Sequence, residues 1–141
     1  KSLDKLKGIE RQDFEEKTCN LSNDQIASSG IEHNAKMVLG YIHSIKDTIK
    51  GPSKWAPIYN CITCHDKIMY KGGIGGFVGV ILPLFNIHIN KASFVTEVNR
   101  YSNMDKSDKS NKRSKDKIEL EENFNKYIND YFENKLNQYK S

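Results

Sequence analysis

Two cysteines and a histidine lie within five residues near the middle of the chain. Cys61 and Cys64 are separated by two residues, and His65 follows directly. Thiolates and imidazoles are good zinc ligands, and a structural zinc site needs four ligands in a tetrahedron. Cys61 and His65 are four positions apart, so they share one face if this segment is helical. A zinc site would need two more ligands from distant parts of the chain, for which Cys19 and His88 are the candidates.

The sequence Cys61-Ile62-Thr63-Cys64-His65 resembles the haem-attachment site of c-type cytochromes. The resemblance implies that the two thiols bond to the haem vinyl groups and that His65 ligates the iron. It covers five of the 141 residues. A packed pair of cysteines, or a local disulfide if the chain is secreted, is the alternative that we favour. We therefore predict no cofactor.

The chain has no recognisable catalytic set. Its four histidines are scattered, and no serine, histidine and acid stand out as a nucleophile with its base. The glycines at 72–76 are not followed by the lysine and hydroxyl of a phosphate-binding loop, and they lack the spacing of a dinucleotide-binding loop. We therefore predict a protein that is not an enzyme.

The net charge is +4, and lysine supplies nearly all of the positive charge. The only arginines are Arg11, Arg100 and Arg113. Arginine is the side chain that most often reads guanine edges and clamps phosphates. Its scarcity predicts that the protein binds no specific nucleic acid. A lysine-rich surface that keeps the chain in solution is the simpler interpretation of the charge.

Lysine, asparagine and isoleucine are over-used and alanine and arginine are rare, as is typical of proteins from AT-rich genomes. The tract from Asp105 to Lys117, rich in lysine, asparagine, serine and aspartate, resembles the tracts that separate helices in exported or secreted proteins of malaria parasites. The resemblance is one of composition. It implies an exported, secreted or membrane-associated protein that faces a host cell or a membrane.

Residues 22–49 predict the first clear helix. Ser22 and Gln25 have the spacing of a capping box, in which each side chain accepts a hydrogen bond from the other residue's amide. Apolar residues then recur at helical spacing to the end of this range. Gly51-Pro52 ends the helix, because glycine relaxes the backbone and proline has no amide hydrogen.

Two more helices are predicted within the first domain. Pro57 suits the start of a helix that continues to Tyr70, where two glycines stop it. A shorter helix covers 92–101. The sequence predicts no strands. The fold is therefore predicted to be mostly α, with a small helical domain or bundle over residues 1–101.

The most apolar part of the chain is the glycine-rich segment 72–89. Its uninterrupted apolar stretch of about 16 residues spans roughly 24 Å as a helix, against about 30 Å of hydrocarbon in a bilayer. A buried core hairpin is therefore favoured, and a membrane-inserting segment is the alternative. Pro83 should kink any helix here. The residues expected in the core or the membrane are Gly75, Phe77, Gly79, Leu82 and Phe85.

Residues 102–117 contain almost nothing apolar and predict a disordered linker, because burial cannot offset the entropy lost on ordering them. Residues 118–141 then predict a long amphipathic helix. Folding back onto the core of its own domain is the favoured arrangement, and a tethered helix that binds a partner protein is the alternative. Its apolar stripe consists of Leu120, Phe124, Ile128, Phe132 and Leu136.

Together these features predict a small helical protein that acts by binding another protein, with the C-terminal helix as the binding element. A haem- or metal-binding protein that uses Cys61, Cys64 and His65 is a second hypothesis. A small membrane-anchored or membrane-active protein that uses residues 74–89 is a third.

Overall fold

The chain folds mostly into helices, as the sequence predicts. The computed structural model describes residues 21–107 and 111–140, and side chains as far as residue 134. A π-helical turn, Phe77–Ile81, joins two short helices of the glycine-rich segment, and two short strands pair with each other. The elements are α1 (Asn23–Ser28), β1 (Ile31–His33), α2 (Ala35–Ile45), α3 (Pro52–Cys64), β2 (Met69–Tyr70), α4 (Gly73–Gly76), α5 (Leu82–Leu84), α6 (Lys91–Ser102) and α7 (Lys112–Lys140).

The predicted helix over 22–49 is divided into two helices, so the prediction of one continuous helix is wrong. Ser22 Oγ accepts a hydrogen bond from the Gln25 amide at 3.1 Å, and Gln25 Oε1 accepts one from the Ser22 amide at 2.8 Å. The predicted capping box is therefore present, but α1 is only six residues long. Gly30 takes a φ of +81°, which glycine adopts readily and which directs the chain out of the helix into β1.

β1 and β2 form a short antiparallel pair, with Ile31 opposite Tyr70 and His33 opposite Met69. The Nζ of Lys71 lies 3.0 Å from a carboxylate oxygen in β1. The sequence predicted no strands and a helix as far as Tyr70, and both predictions are wrong here. Alternation over two or three residues is too short to recognise in a sequence.

α3 begins at Pro52, five residues before the predicted start at Pro57, and it ends at Cys64. Pro52 lies in the first helical turn, where an amide hydrogen would have no partner within the helix. Gly51 precedes it with a φ of +80°. His65 has an extended conformation and ends the helix. Pro57 is consequently an interior, buried residue of α3.

α3 is the central element of the core, and it packs against both α6 and α7. Its Trp55, Ile58 and Ile62 are fully buried. Phe77 from the π turn and Phe94 from α6 stack on each other with their ring centroids 5.4 Å apart. α2 completes the core with Met37, Val38, Leu39 and Ile42.

α6 confirms the short helix predicted over 92–101, with one more residue at each end. Asn90 caps it, because Asn90 Oδ1 accepts a hydrogen bond from the Ser93 amide at 3.0 Å. Phe94 and Tyr101 are the buried residues of this helix.

The glycine-rich segment is a bent helix in the core rather than a hairpin, since α4, the π turn and α5 continue without a break over 73–84. Pro83 cannot donate a hydrogen bond to the preceding turn. The amide of Leu82 bonds to the carbonyl of Phe77, five residues earlier, which gives the wide turn just before the proline.

The three large side chains predicted for this segment, Phe77, Leu82 and Phe85, are buried in the core, whereas Gly75 and Gly79 are exposed. Among the described residues, no helix combines the length and the apolar character needed to cross a bilayer.

α7 begins at Lys112, six residues before the predicted start at 118, so residues 112–117 belong to the helix and not to a linker. Phe124 and Ile128 are fully buried against the domain core. Phe124 stacks on Tyr41 of α2 with ring centroids 4.4 Å apart. The first part of the apolar stripe therefore folds back onto its own domain.

The remaining residues of the stripe are less buried. Leu120 and Phe132 are half-buried and pack at the margin of the core. The side chain of Leu136 lies outside the described part of the chain.

Candidate functional site

The C-terminal end of α3 carries the Cys-x-x-Cys-His sequence, and its first cysteine points into the core. Cys61 is 1% exposed. Its thiol donates a hydrogen bond to Asn125 Oδ1 in α7, with 3.0 Å between sulfur and oxygen. Burial, together with the nearby charges of Glu121 and Cys64, raises the pKa of Cys61 to about 12. The thiol is therefore protonated at neutral pH in the chain as described.

The other two residues of the motif point elsewhere. Cys64 is exposed, and its sulfur lies 3.7 Å from Asn60 Oδ1. His65 Nδ1 accepts a hydrogen bond from the amide of Lys67 at 3.0 Å. Within the described ranges, no group of three histidine, cysteine or acidic side chains is placed to hold a metal ion.

Of the two distant zinc candidates, the structure describes only His88. His88 lies beside the start of α6 and lines a groove next to the other end of α3. Cys19 lies outside the described residues.

A polar cluster behind Cys61 joins three helices. Glu121 of α7 accepts a hydrogen bond from Asn60 Nδ2 of α3 at 2.6 Å and another from the Tyr101 hydroxyl of α6 at 2.7 Å. Burial and the hydrogen bond to Glu121 raise the pKa of Tyr101. These contacts fix how α6 and α7 pack on the C-terminal part of α3.

The N-terminal end of α3 borders a groove with an apolar floor, which we call the peptide groove. It is lined by residues 46 and 49–52, by Trp55, by residues 86–90 and by Ser93, and it has a volume of about 400 Å³. Trp55 is fully buried beneath it.

One wall of the peptide groove is an extended segment. Ile87 and Ile89 are half-buried, whereas Asn86, His88 and Asn90 between and around them are exposed. This alternation is that of a strand with one face on the core. In the described part of the chain, no hydrogen bond satisfies the amide hydrogens of His88 and Ile89.

A second cavity, the cationic cleft, lies where the first turns of α3 and α7 meet α6. It is lined by Ser53, Lys54, Glu97, Arg100, Arg113, Asp116 and Lys117, and it has a volume of about 460 Å³. Two of the three arginines of the chain face this one cavity although they are distant in sequence.

Sequence reasoning missed both cavities. The alternation of Ile87-His88-Ile89 between two asparagines was a signal for an extended segment with one exposed edge. No sequence signal announces the cationic cleft, because its residues come from three helices.

Comparison of the chain with protein-family models, with curated proteins and with solved structures gives no match. The functional argument therefore depends on the geometry of this molecule.

Proposed function

We propose that the protein is a non-enzymatic interaction module that binds an extended segment of a partner protein in the peptide groove. The observation that carries this proposal is the edge formed by residues 87–90. A strand-like segment with unpaired amides beside an apolar groove is the arrangement to which an extended peptide adds as a further strand.

Backbone pairing supplies part of the affinity in this mode of recognition. The amide hydrogens of His88 and Ile89 have no partner in the described structure. Successive amides of an extended segment point to opposite edges, so a single peptide can pair with only one of them. Because the Ile87 amide bonds to the Leu82 carbonyl, the His88 amide is the one on the other edge, where a peptide can reach it. The short ladder between β1 and β2 does not include this segment. A peptide would therefore pair with an edge that the fold leaves open.

The charge of the groove indicates what kind of partner it binds. The lining of the peptide groove contains Lys50 and Lys46 but no carboxylate, although Lys46 pairs with the exposed Asp47 beside it at 3.4 Å. Pro52, Ile87 and Ile89, which are half-buried, provide the apolar surface. An extended peptide that alternates apolar side chains with aspartate or glutamate matches both properties, because one face meets the floor and the other meets the lysines.

The sequence predicted that α7 binds a partner protein, but less of its apolar stripe is accessible than expected. Phe124 and Ile128 are in the core and are not accessible to a partner. The peptide groove thus offers the better-defined binding surface, and it lies at the opposite end of α3 from the cysteine motif.

The test begins with a display library of random linear peptides selected against the whole chain. We expect the enriched peptides to alternate apolar and acidic residues. Binding of the selected peptide should be lost in His88→Pro, because proline removes one of the unpaired amide hydrogens. The matched control His88→Ala should bind as the parent does, because it changes the same side chain and keeps the amide.

A second pair of variants tests the charge independently of the backbone. Lys50→Glu should weaken binding, whereas Lys36→Glu, which makes the same change at an exposed position on α2 outside the groove, should not. Equal affinity for all four variants, or enrichment of basic peptides, would overturn the proposal.

A further inference from the structure

We propose that the cationic cleft is a second, independent binding site, and that it takes a small soluble molecule that carries phosphate. The site shares no lining residue with the peptide groove. It therefore adds a ligand to the proposed function and does not depend on it.

The charge within the cleft is unbalanced. Its lining contains four cationic side chains and two carboxylates, Glu97 and Asp116. Arg100 pairs with Glu97 at 2.8 Å. For Lys54, Arg113 and Lys117, no side-chain hydrogen bond or ion pair is found in the part of the chain that the structure describes.

Two of these cations lie at positions that are unfavourable in the free protein. Lys54 is in the first turn of α3, which has no side-chain cap, and Arg113 is in the first turn of α7. The N-terminus of a helix carries a partial positive charge and favours anions. Neither first turn contains an acidic residue. Positive charge therefore accumulates at the meeting of two helix N-termini, and a bound anion would neutralise it.

The side chains indicate phosphate as the anion. The guanidinium groups of Arg100 and Arg113 can each bind two phosphate oxygens at once, and Lys54 and Lys117 add point charges. The hydroxyl of Ser53 is a further donor in the lining.

The shape of the site indicates a small molecule. The residues enclose a cavity of about 460 Å³ between three helices, and they do not form a stripe along a surface. Glu97 and Asp116 at the same cavity would repel a long polyanion such as a nucleic acid. A phosphate ester whose anionic group meets the arginines, and whose organic part extends past the carboxylates, fits this distribution of charge.

The experiment uses inorganic pyrophosphate as the probe, with sodium chloride at equal ionic strength as the reference, and follows the amide NMR spectrum of the whole chain. We expect saturable shifts at Ser53, Lys54 and Arg113, and little change at residues 87–90. Lys117→Gln should weaken pyrophosphate binding about tenfold or more, because it removes one charge-assisted contact. Lys126→Gln removes the same charge from an exposed position of α7 outside the cleft and should have no effect.

Arg113→Lys keeps the positive charge but removes the guanidinium group, which can bind two phosphate oxygens at once. It therefore distinguishes a site that needs a guanidinium group from a general preference for anions. We expect it to bind pyrophosphate more weakly than the parent chain while the melting temperature stays the same. Unsaturable shifts, shifts reproduced by chloride, or equal weakening in Lys117→Gln and Lys126→Gln would overturn the proposal.

Discussion

The sequence suggests that chemistry lies at the C-terminal end of α3, but the structure places its open cavities at the N-terminal end. The C-terminal end carries the motif with the most recognisable chemistry, yet Cys61 is buried against Asn125 of α7 and its thiol stays protonated. The N-terminal end carries no motif, yet it borders the peptide groove and the cationic cleft. α7 contacts both ends of α3: it buries Cys61 at the C-terminal end, whereas at the N-terminal end its first turns line the cationic cleft.

This comparison shows how burial decides the use of a side chain. A cysteine with a polar partner inside a helix interface contributes to packing. Cations at an exposed helix start remain available for a ligand. If the account is correct, substitutions at the C-terminal end change stability, and substitutions at the N-terminal end change binding.

The largest expected effect is at the helix that covers the C-terminal end. Phe124→Ala removes a fully buried ring that stacks on Tyr41. We expect a loss of about 3–5 kcal/mol in the free energy of unfolding, measured by urea denaturation. Phe132→Ala is the matched control, and its half-buried ring should cost less than half as much. Equal and small losses would show that α7 does not dock on the domain in solution.

A smaller effect separates the two cysteines. Cys61→Ala should lower the free energy of unfolding by about 1–2 kcal/mol, since it removes a buried side chain and its hydrogen bond. Cys64→Ala should stay within about 0.5 kcal/mol of the parent, because Cys64 is exposed. Stoichiometric zinc binding that both variants abolish would contradict the structural role of the motif.

The thiol of Cys61 should also make the free energy of unfolding depend on pH. The pKa of Cys61 is raised from 9.0 to about 12 in the folded chain, so its contribution to stability is complete below about pH 9 and is lost as the pH rises towards 12. Denaturation of the parent between about pH 8 and pH 10 should therefore show a decline in stability that is smaller in Cys61→Ala. Tyr41, whose pKa is raised to about 12 by burial and secondly by the charge of Cys61, contributes to both proteins and somewhat less in Cys61→Ala.

The smallest expected effect is an increase in the free energy of unfolding. Lys54→Glu places an acid in the first turn of α3, where the helix dipole favours it, and should raise the free energy of unfolding by about 0.3–1 kcal/mol. The same variant should lose pyrophosphate binding. A variant that is more stable and no longer binds would show that the cations are kept at the helix start for a ligand. A loss of stability would indicate that Lys54 has a structural partner instead.

The fold was predictable where a signal is local. The capping box at Ser22 and Gln25, the helix α6 and the buried ring of Phe124 all follow from spacing and burial along a single element. The break at Gly30 did not, because a glycine within an apolar pattern is compatible with a helix until a distant strand pairs with the residues after it.

The candidate sites were less predictable than the fold. The sequence places Cys61, Cys64 and His65 close together, but the direction of each side chain depends on the ends of α3 and on the position of α7. Arg100 and Arg113 share a cavity only because α6 and α7 pack on the same helix. A count of arginines argues only against specific nucleic-acid binding and cannot show that two of them converge.

The most direct test of the central claim is the ratio of affinities of His88→Ala and His88→Pro for a selected peptide, measured by titration calorimetry. The two variants lose the same imidazole and differ in one amide hydrogen on the exposed edge. We expect the alanine variant to bind the peptide as the parent does. The proline variant should bind it at least about tenfold more weakly while its melting temperature stays unchanged. Equal affinities of the two variants would contradict this expectation, because the peptide would then not pair with residues 87–90.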